Sequence, residues 1–476
     1  MKLIGLQSWF SFPSDGCFRY MRMVFLVCAI TGCASVPRRT PVPEVVTPVA
    51  FSSSGEAVLD ARWWLSFQDT HLNALMDQAL VNNPGLLATY ERLAQAQAVA
   101  KKDGAGQFPT LDGRAEADRT TRRTAGVTTS TNEFSVGATV GYEVDLWGRV
   151  RSTAQAARLD VRASEADLKA AGMTLSASVA NAWYRLVEQQ KQVDLLANQL
   201  AINEQIQELV NLRFKRGLVR AADVLRQRQF AEATRGQMAL ARSRKAVLAH
   251  QLAILLGQPP LFGVADSMAN LIDLPVLPHV GVPADLIQRR PDIQKAYYNV
   301  MAADKRVASA VADRFPRLSL SGQATSSDSR VGGLFEDWLF NFSANLVGPL
   351  IDGGRRRAEV ARTKAIVNER LQVYGQVVLN SLAEVEDALI QEAEQTVYLE
   401  SLAKQLVLSE QVIVRARDNY TSGGADYLRV LDALQTHQQL ERTYLAAKRE
   451  LIGYRVDLCR ALGGGWEMVG QEQVMR

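Results

Sequence analysis

Phe134-Ser135-Val136-Gly137-Ala138-Thr139-Val140-Gly141-Tyr142-Glu143-Val144-Asp145-Leu146 puts an apolar or aromatic side chain at every second position, with a small, polar or charged one between. A period of two held this long predicts a strand with two unlike faces. The preceding segment alternates in the same way, Leu111, Gly113, Ala115 and Ala117 against Asp112, Arg114, Glu116 and Asp118. Two later runs repeat it. Leu318, Leu320, Gly322 and Ala324 stand against Ser319, Ser321, Gln323 and Thr325, and Phe340, Phe342, Ala344 and Leu346 against Asn341, Ser343 and Asn345. Strands of about 10 residues suit a tilted crossing of a bilayer, with the apolar face on lipid and the polar face on a wet lumen. Phe134, Tyr142, Trp147, Trp338 and Phe340 lie toward the strand ends, where interfacial belts are expected. The polar stretches 120–132 and 326–336 are expected as loops. A half-buried sheet in a soluble domain is the competing meaning of the alternation. Four strands cannot close a barrel, because small ones need about eight, and lipid excludes open edges. A shared barrel therefore needs two protomers or three.

The hairpins belong to a duplicated unit. Asn83-Pro84 is matched by Arg290-Pro291 and Phe108-Pro109 by Phe315-Pro316, each 207 positions on. Gly217 is matched by Gly423 and Leu256-Gly257 by Leu462-Gly463, each 206 positions on. Each copy holds a short helix, two strands, a very long helix, a Gly-centred turn and another long helix. That order fits neither a solenoid of short repeats nor the alternation of a doubly wound enzyme.

Residues 152–214 contain no proline and only Gly172, which predicts a helix of about 60 residues, roughly 90 Å long. Its counterpart is expected over 355–420, with return helices over 222–256 and 427–462 and shorter helices before the strands over 69–102 and 284–313. Leu186, Val193, Leu196 and Leu200 form a coiled-coil-like seam. An elongated coiled-coil protein without a pore is the alternative reading of these helices.

The net charge of +4 over 476 residues excludes a polyanion-binding balance, and no basic stripe with interleaved aromatics is present, so no nucleic-acid partner is expected. Arg19 and Arg22 precede a short apolar run and Ile30-Thr31-Gly32-Cys33, which reads as a secretory signal over 1–32. That tetrad also resembles a bacterial lipobox, a likeness that implies acylation of Cys33 and, with Ala34 next, sorting to the outer membrane. On that likeness Cys17 and Cys28 would leave with the signal and Cys33 would be acylated. Cys459 alone remains, so the mature chain can form no intramolecular disulfide. Four scattered histidines and one spare thiol argue against a metal site, and no cofactor is expected. Residues 36–48, rich in proline, threonine and valine, read as an extended tether. No Gly-Lys-Ser/Thr loop, His-Glu-x-x-His or Gly-x-Ser-x-Gly elbow occurs, so no enzyme is expected. Gly353-Gly354-Arg355 reads as a helix start, and Glu384, Glu386 and Asp387 as an interhelical or solvated face.

Several segments resemble a known family. They are Trp63-Trp64-Leu65-Ser66-Phe67-Gln68-Asp69 with His71-Leu72-Asn73-Ala74-Leu75, then Leu274-Pro275-Val276-Leu277-Pro278 with 283–293, then the junctions Tyr142–Arg149 and Gly348–Arg355. Across roughly 60–463 the chain resembles the TolC-like outer-membrane factors, in the NodT-type lipoprotein branch that serves resistance-nodulation-division pumps. The resemblance implies a mainly α fold with a membrane β-barrel. The barrel is a twelve-stranded one shared by a homotrimer and continued by a periplasmic α-helical barrel. It implies a passive exit duct for small molecules, with a membrane-fusion adaptor, an inner-membrane resistance-nodulation-division transporter and outer-membrane lipid as partners. A duct for type I protein secretion is the alternative function. Expected segments are the signal 1–32, an acylated tether 33–60, repeats 61–265 and 266–463, and a tail 464–476. Family tip motifs match Arg213-Phe214-Lys215-Arg216-Gly217 and Asn419-Tyr420-Thr421-Ser422-Gly423, with Asn419 where the family usually has arginine. Lys215, Arg216, Gly217, Thr421, Ser422 and Gly423 are thereby candidate adaptor contacts. Arg220, Asp223, Asp426, Tyr427 and Arg429 are candidates for the residues that constrict the closed aperture.

Overall fold

The computed structural model describes residues 48–57, 60–260, 270–424 and 426–464. The expected signal, Cys33, most of the tether and residues 465–476 of the tail lie outside the described residues.

The chain runs through one order of elements twice. The first pass is α1 (Thr70–Asn82), α2 (Pro84–Ala105), β1 (Thr110–Thr124), β2 (Val127–Val144), α3 (Arg149–Lys215) and α4 (Ala221–Leu255). The second is α5 (Pro283–Arg289), α6 (Pro291–Ala312), β3 (Arg317–Asp328), β4 (Leu339–Val347), α7 (Arg355–Thr421) and α8 (Tyr427–Ala461). Helices α3 and α7 each have 67 residues, and α4 and α8 each have 35. At 1.5 Å per residue the longer ones extend about 100 Å. Among the described residues no helix is long and apolar enough to cross a membrane.

Two expectations are corrected. The helices before the strands are not single. Pro84 and Pro291 each occupy a first helical position, and the residue before each proline is extended, so α1/α2 and α5/α6 break there. The stretch 120–132 is not a loop. β1 continues to Thr124 and β2 resumes at Val127. A two-residue turn joins them at Ala125 (φ 51°) and Gly126 (φ 87°), the positive angles of a twist-matched hairpin. Threonine-rich sequence favours a strand through its branched Cβ even where no apolar alternation marks it.

The repeat landmarks are points where helices end and lock together. The Asn83 side chain accepts from Leu86 N at 3.0 Å and donates to Leu255 O, the last residue of α4, at 2.9 Å. At the equivalent place Arg290, 3% exposed, donates to Ala461 O, the last residue of α8, at 3.0 Å. It also bridges Asp292 (2.7 Å) and Glu384 (2.8 Å). Gly257 and Gly463 (φ 73° and 71°) close α4 and α8, with Gln258 N to Ala253 O at 2.8 Å and Gly464 N to Cys459 O at 3.0 Å.

The described chain before α1 is pinned to the middle of α3. Trp63 and Trp64 meet edge to face at 5.9 Å, and Trp63 Nε1 donates to Ser176 Oγ at 3.3 Å. Asp69 caps α1 by accepting from His71 N and Leu72 N at 3.0 and 3.1 Å, and its other oxygen accepts from Trp183 Nε1 at 2.8 Å. These rings join Leu72, Met76, Val179, Tyr184, Leu252 and Val456 in the largest core cluster. Two of the three clustered carboxylates on α7 have structural partners. Glu384 also takes Arg460 at 3.4 Å, and Glu386 accepts from Ser52 N at 3.0 Å.

Candidate functional site

The strands form one antiparallel sheet in the order β1-β2-β3-β4. Its register pairs Leu111 with Val140, Val140 with Gly322, and Gly322 with Phe342. It likewise aligns Ala117 with Phe134, and Leu320 with Tyr142 and Ala344. Directly opposed residues share a face, so the four alternating patterns coincide and one side of the sheet carries the apolar residues of all four strands. The other side carries Asp112, Thr139, Gln323 and Asn341, paired in sequence across the strands. From Phe134 to Val144 the apolar side covers about 34 Å along β2, or about 25 Å of height at a 45° tilt. That is the height of a barrel's lipid-facing band. Phe335, Trp338 and Phe340 contact in series at 6.2 and 6.4 Å at one rim. At the other, Trp147 stacks on Phe315 at 4.8 Å and donates to Pro316 O at 2.7 Å.

Each hairpin leads into its long helix through a capped corner. Asp145 accepts from Val150 N and Arg151 N at 3.1 and 2.8 Å, after Gly148 at φ 75°. Asp352 accepts from Gly354 N and Arg356 N at 3.0 and 3.2 Å. The Arg356 backbone N–H, with that of Gly354, holds the Asp352 carboxyl below the ordinary carboxylate range. The free amides after Gly353-Gly354 are thus already occupied by this carboxylate.

At the opposite end, α3–α4 and α7–α8 fold back through Gly217 (φ 71°) and Gly423 (φ 81°). Leu218 N bonds Arg213 O at 2.9 Å, and Gly424 N bonds Asn419 O at 2.8 Å. Arg213 lies over the Tyr420 ring, 4.5 Å from its centroid, and so joins the two turns. Val210, Val224, Tyr427 and Leu431 pack beneath them. Among the candidates, Lys215, Arg216, Gly217, Thr421, Ser422 and Gly423 are all exposed. The Thr421 and Ser422 hydroxyls donate to Asp418 O at 3.0 and 2.9 Å. Arg220, Asp426 and Arg429 are exposed, and among the described residues the side chains of Asp426 and Arg429 have no polar partner. Asp223 turns back to accept from Arg220 N at 3.2 Å. Tyr427 is 4% exposed, inside its own protomer, and burial pushes its phenol well above the ordinary value.

A buried polar seam, not anticipated from sequence, runs up from this cluster. Tyr427 Oη donates to Gln227 Oε1 at 2.6 Å, and Gln227 Nε2 to Asn203 O at 2.7 Å. Asn203 Nδ2 donates to Thr234 Oγ1 at 3.0 Å, and Gln438 Nε2 to Asn203 Oδ1 at 3.1 Å. Gln199 Nε2 donates to Gln438 O at 3.1 Å and Glu441 Oε2 at 2.8 Å. Helices α3, α4 and α8 are knitted by it. The usable signal was register: Gln192, Leu196, Gln199 and Asn203 step by four and three along α3. A search for apolar side chains passes over them.

A sheet with one lipid-suited and one water-suited face, open at β1 and β4 and continued by helices of about 100 Å, defines a membrane channel protein with a helical duct. The profile described as outer membrane efflux protein matches residues 75–258 and 282–464, and the chain belongs to that family. It is 30% identical over 423 residues to the pyoverdine export outer membrane protein OpmQ of Pseudomonas aeruginosa, covering 85% of this chain and 88% of OpmQ. It is 26% identical over 464 residues to the cation efflux system protein CusC of Escherichia coli O6:H1, covering 92% and 97%. The solved outer-membrane channel OprN superposes with a TM-score of 0.84 at 28% identity, over 90% of this chain and 99% of OprN. The fold is TolC-like, as expected.

Proposed function

We propose that the chain is the outer-membrane exit duct of a tripartite efflux system, passing small molecules from a periplasm-spanning pump to the exterior. The observation that carries this is the register that aligns the apolar positions of all four strands on one face. β1 and β4 each leave an edge that lipid does not tolerate. Three copies pairing β1 with the next β4 give a closed barrel of twelve strands, and the polar faces line its lumen. The long helices then continue the duct into the periplasm. The exposed turns around Gly217 and Gly423 meet a membrane-fusion adaptor, which joins the duct to an inner-membrane resistance-nodulation-division transporter. Acylation at Cys33 anchors the chain to the same membrane. The segments 1–32, 33–60, 61–265, 266–463 and 464–476 are signal, tether, two repeats and tail. The names of its relatives, pyoverdine export and cation efflux, support a small-molecule cargo rather than the protein cargo of a type I secretion duct.

At the tip, Asp426 and Arg429 of three copies face the axis and hold the aperture closed through charge pairs, with Arg220 and Asp223 beside them and Tyr427 bracing the turn from within. The exposed side chains of Asp426 and Arg429, which have no polar partner among the described residues, support this. Planar-bilayer recording tests it. Asp426→Ala and Arg429→Ala raise single-channel conductance, and an unchanged value removes them from the gate. Drug susceptibility set against export of secreted proteins in a deletion strain separates the two kinds of duct.

A further inference from the structure

The β1–β2 hairpin outruns its neighbours. The last β3 partner of β2 is Asp328, opposite Phe134, yet β2 begins at Val127 and β1 runs on to Thr124. In this overhang Arg119 pairs with Asn132, Thr121 with Ser130 and Arg123 with Thr128. These pairs continue the face that carries Ala117 and Phe134, so Arg119 and Arg123 stand directly beyond the apolar band on its outward side. Asp118 and Glu133, paired with each other, lie on the opposite face, with Arg122. Within the overhang, charge is therefore segregated: Arg119 and Arg123 stand outside with no carboxylate between them, and Asp118 and Glu133 lie inside with Arg122. Among the described residues the side chains of Arg119 and Arg123 have no ion-pair or hydrogen-bond partner. The Thr121 and Ser130 hydroxyls between them bond each other at 3.0 Å. The carboxylate on this side, Asp328, already accepts from Arg330 N at 2.7 Å.

Height decides what these arginines can meet. Arg119 lies two residues past Ala117, about 7 Å along the strand and about 5 Å up at the tilt of a barrel strand. That is within a headgroup layer of about 5–7 Å. Arg123 lies about 14 Å up, beyond the reach of a compact phospholipid headgroup. We infer that Arg119 and Arg123 bind the headgroup of an anionic glycolipid of the outer leaflet, its phosphates set at two levels on the sugars. Arginine suits phosphate through its planar fork of donors, and the Thr121–Ser130 hydroxyls suit the sugar between. The inference rests on the duct reading, which assigns this face to lipid.

Native mass spectrometry of the full-length purified protein tests it. The probes are lipid A carrying a phosphorylated inner-core oligosaccharide, the same lipid without that oligosaccharide, and phosphatidylglycerol. A cationic side chain at an anionic surface is worth about fivefold in affinity, so Arg119→Gln/Arg123→Gln loses about 30-fold for the core-bearing lipid. It loses less for the two compact ones, and Arg122→Gln on the lumen side binds as the parent does. Unchanged binding in the double variant, an equal loss in Arg122→Gln, or an equal loss for phosphatidylglycerol overturns the inference. Conductance recorded on the same preparations keeps the readings apart. A conducting pore without lipid preference sinks only this inference, whereas failure to conduct in both the parent and the Asp426→Ala/Arg429→Ala variant sinks the duct.

Discussion

The hydroxyl of Tyr427 donates to the side-chain carbonyl of Gln227 across 2.6 Å, joining the return helices of the two repeats just above the turns. Gln227 is fully buried and passes the link to Asn203 of α3. Tyr427→Phe keeps the ring in its apolar cluster but strands the Gln227 acceptor, a loss of about 1–3 kcal/mol. Hydrogen exchange should quicken in the first turns of α8 and stay unchanged in the sheet. Equal protection in both proteins would falsify the link as a brace.

Two glycines with nearly the same φ should respond differently to alanine. At Gly217 (φ 71°) an added Cβ meets open space, so only the left-handed backbone is penalised, by roughly 1–2 kcal/mol. At Gly257 (φ 73°) it lies 2.3 Å from the Asn82 carbonyl oxygen. Gly257→Ala is therefore expected to lower the denaturation midpoint well beyond Gly217→Ala. Matching midpoints would contradict the lock between α4 and the α1–α2 corner.

The two faces of the sheet make opposite demands on one substitution. Val140→Arg puts a guanidinium in the apolar band, at a cost of about 2–4 kcal/mol. Thr139→Arg, one residue away, points it into the lumen. Heat-modifiable protein in the outer-membrane fraction should fall for the first and persist for the second, with altered conductance. Comparable yields would mean that neither face is set against lipid, and the reverse order that the faces have been assigned the wrong way round.

Cys459 is 2% exposed, and burial pushes its thiol up to about 12. The raised value means that the fold favours the neutral thiol. That contribution is whole below the unfolded thiol's pKa of about 8.5 and is lost as pH climbs toward 12. Ellman's reagent at pH 8 should react only after denaturation. Prompt labelling of the native protein would refute the burial.

Much of the architecture could be read from the residues. The duplicated order, the hairpins and the long helices are each written in spacing, and the turns at Gly217 and Gly423 stand where the helices reverse. Besides the helix breaks at Pro84 and Pro291, what escaped was of two kinds. The strands of the β1–β2 overhang escaped because threonine and arginine carry no apolar period. The seam residues Gln199, Asn203, Gln227 and Gln438 escaped because a polar side chain reads as solvent-facing until a partner is known to lie opposite.

The boundary between the two has a physical reason. Sequence by itself determined where the long helices begin and reverse, because glycine's positive φ and a capping carboxylate act within a few residues. Only the tertiary structure decided which residues share a face of the sheet and which polar groups satisfy each other. Val140 meets Gly322, and Asn203 meets Gln438. Those pairings join parts of the chain about 200 residues apart, and a slip of one residue in register would turn the lipid face into the lumen.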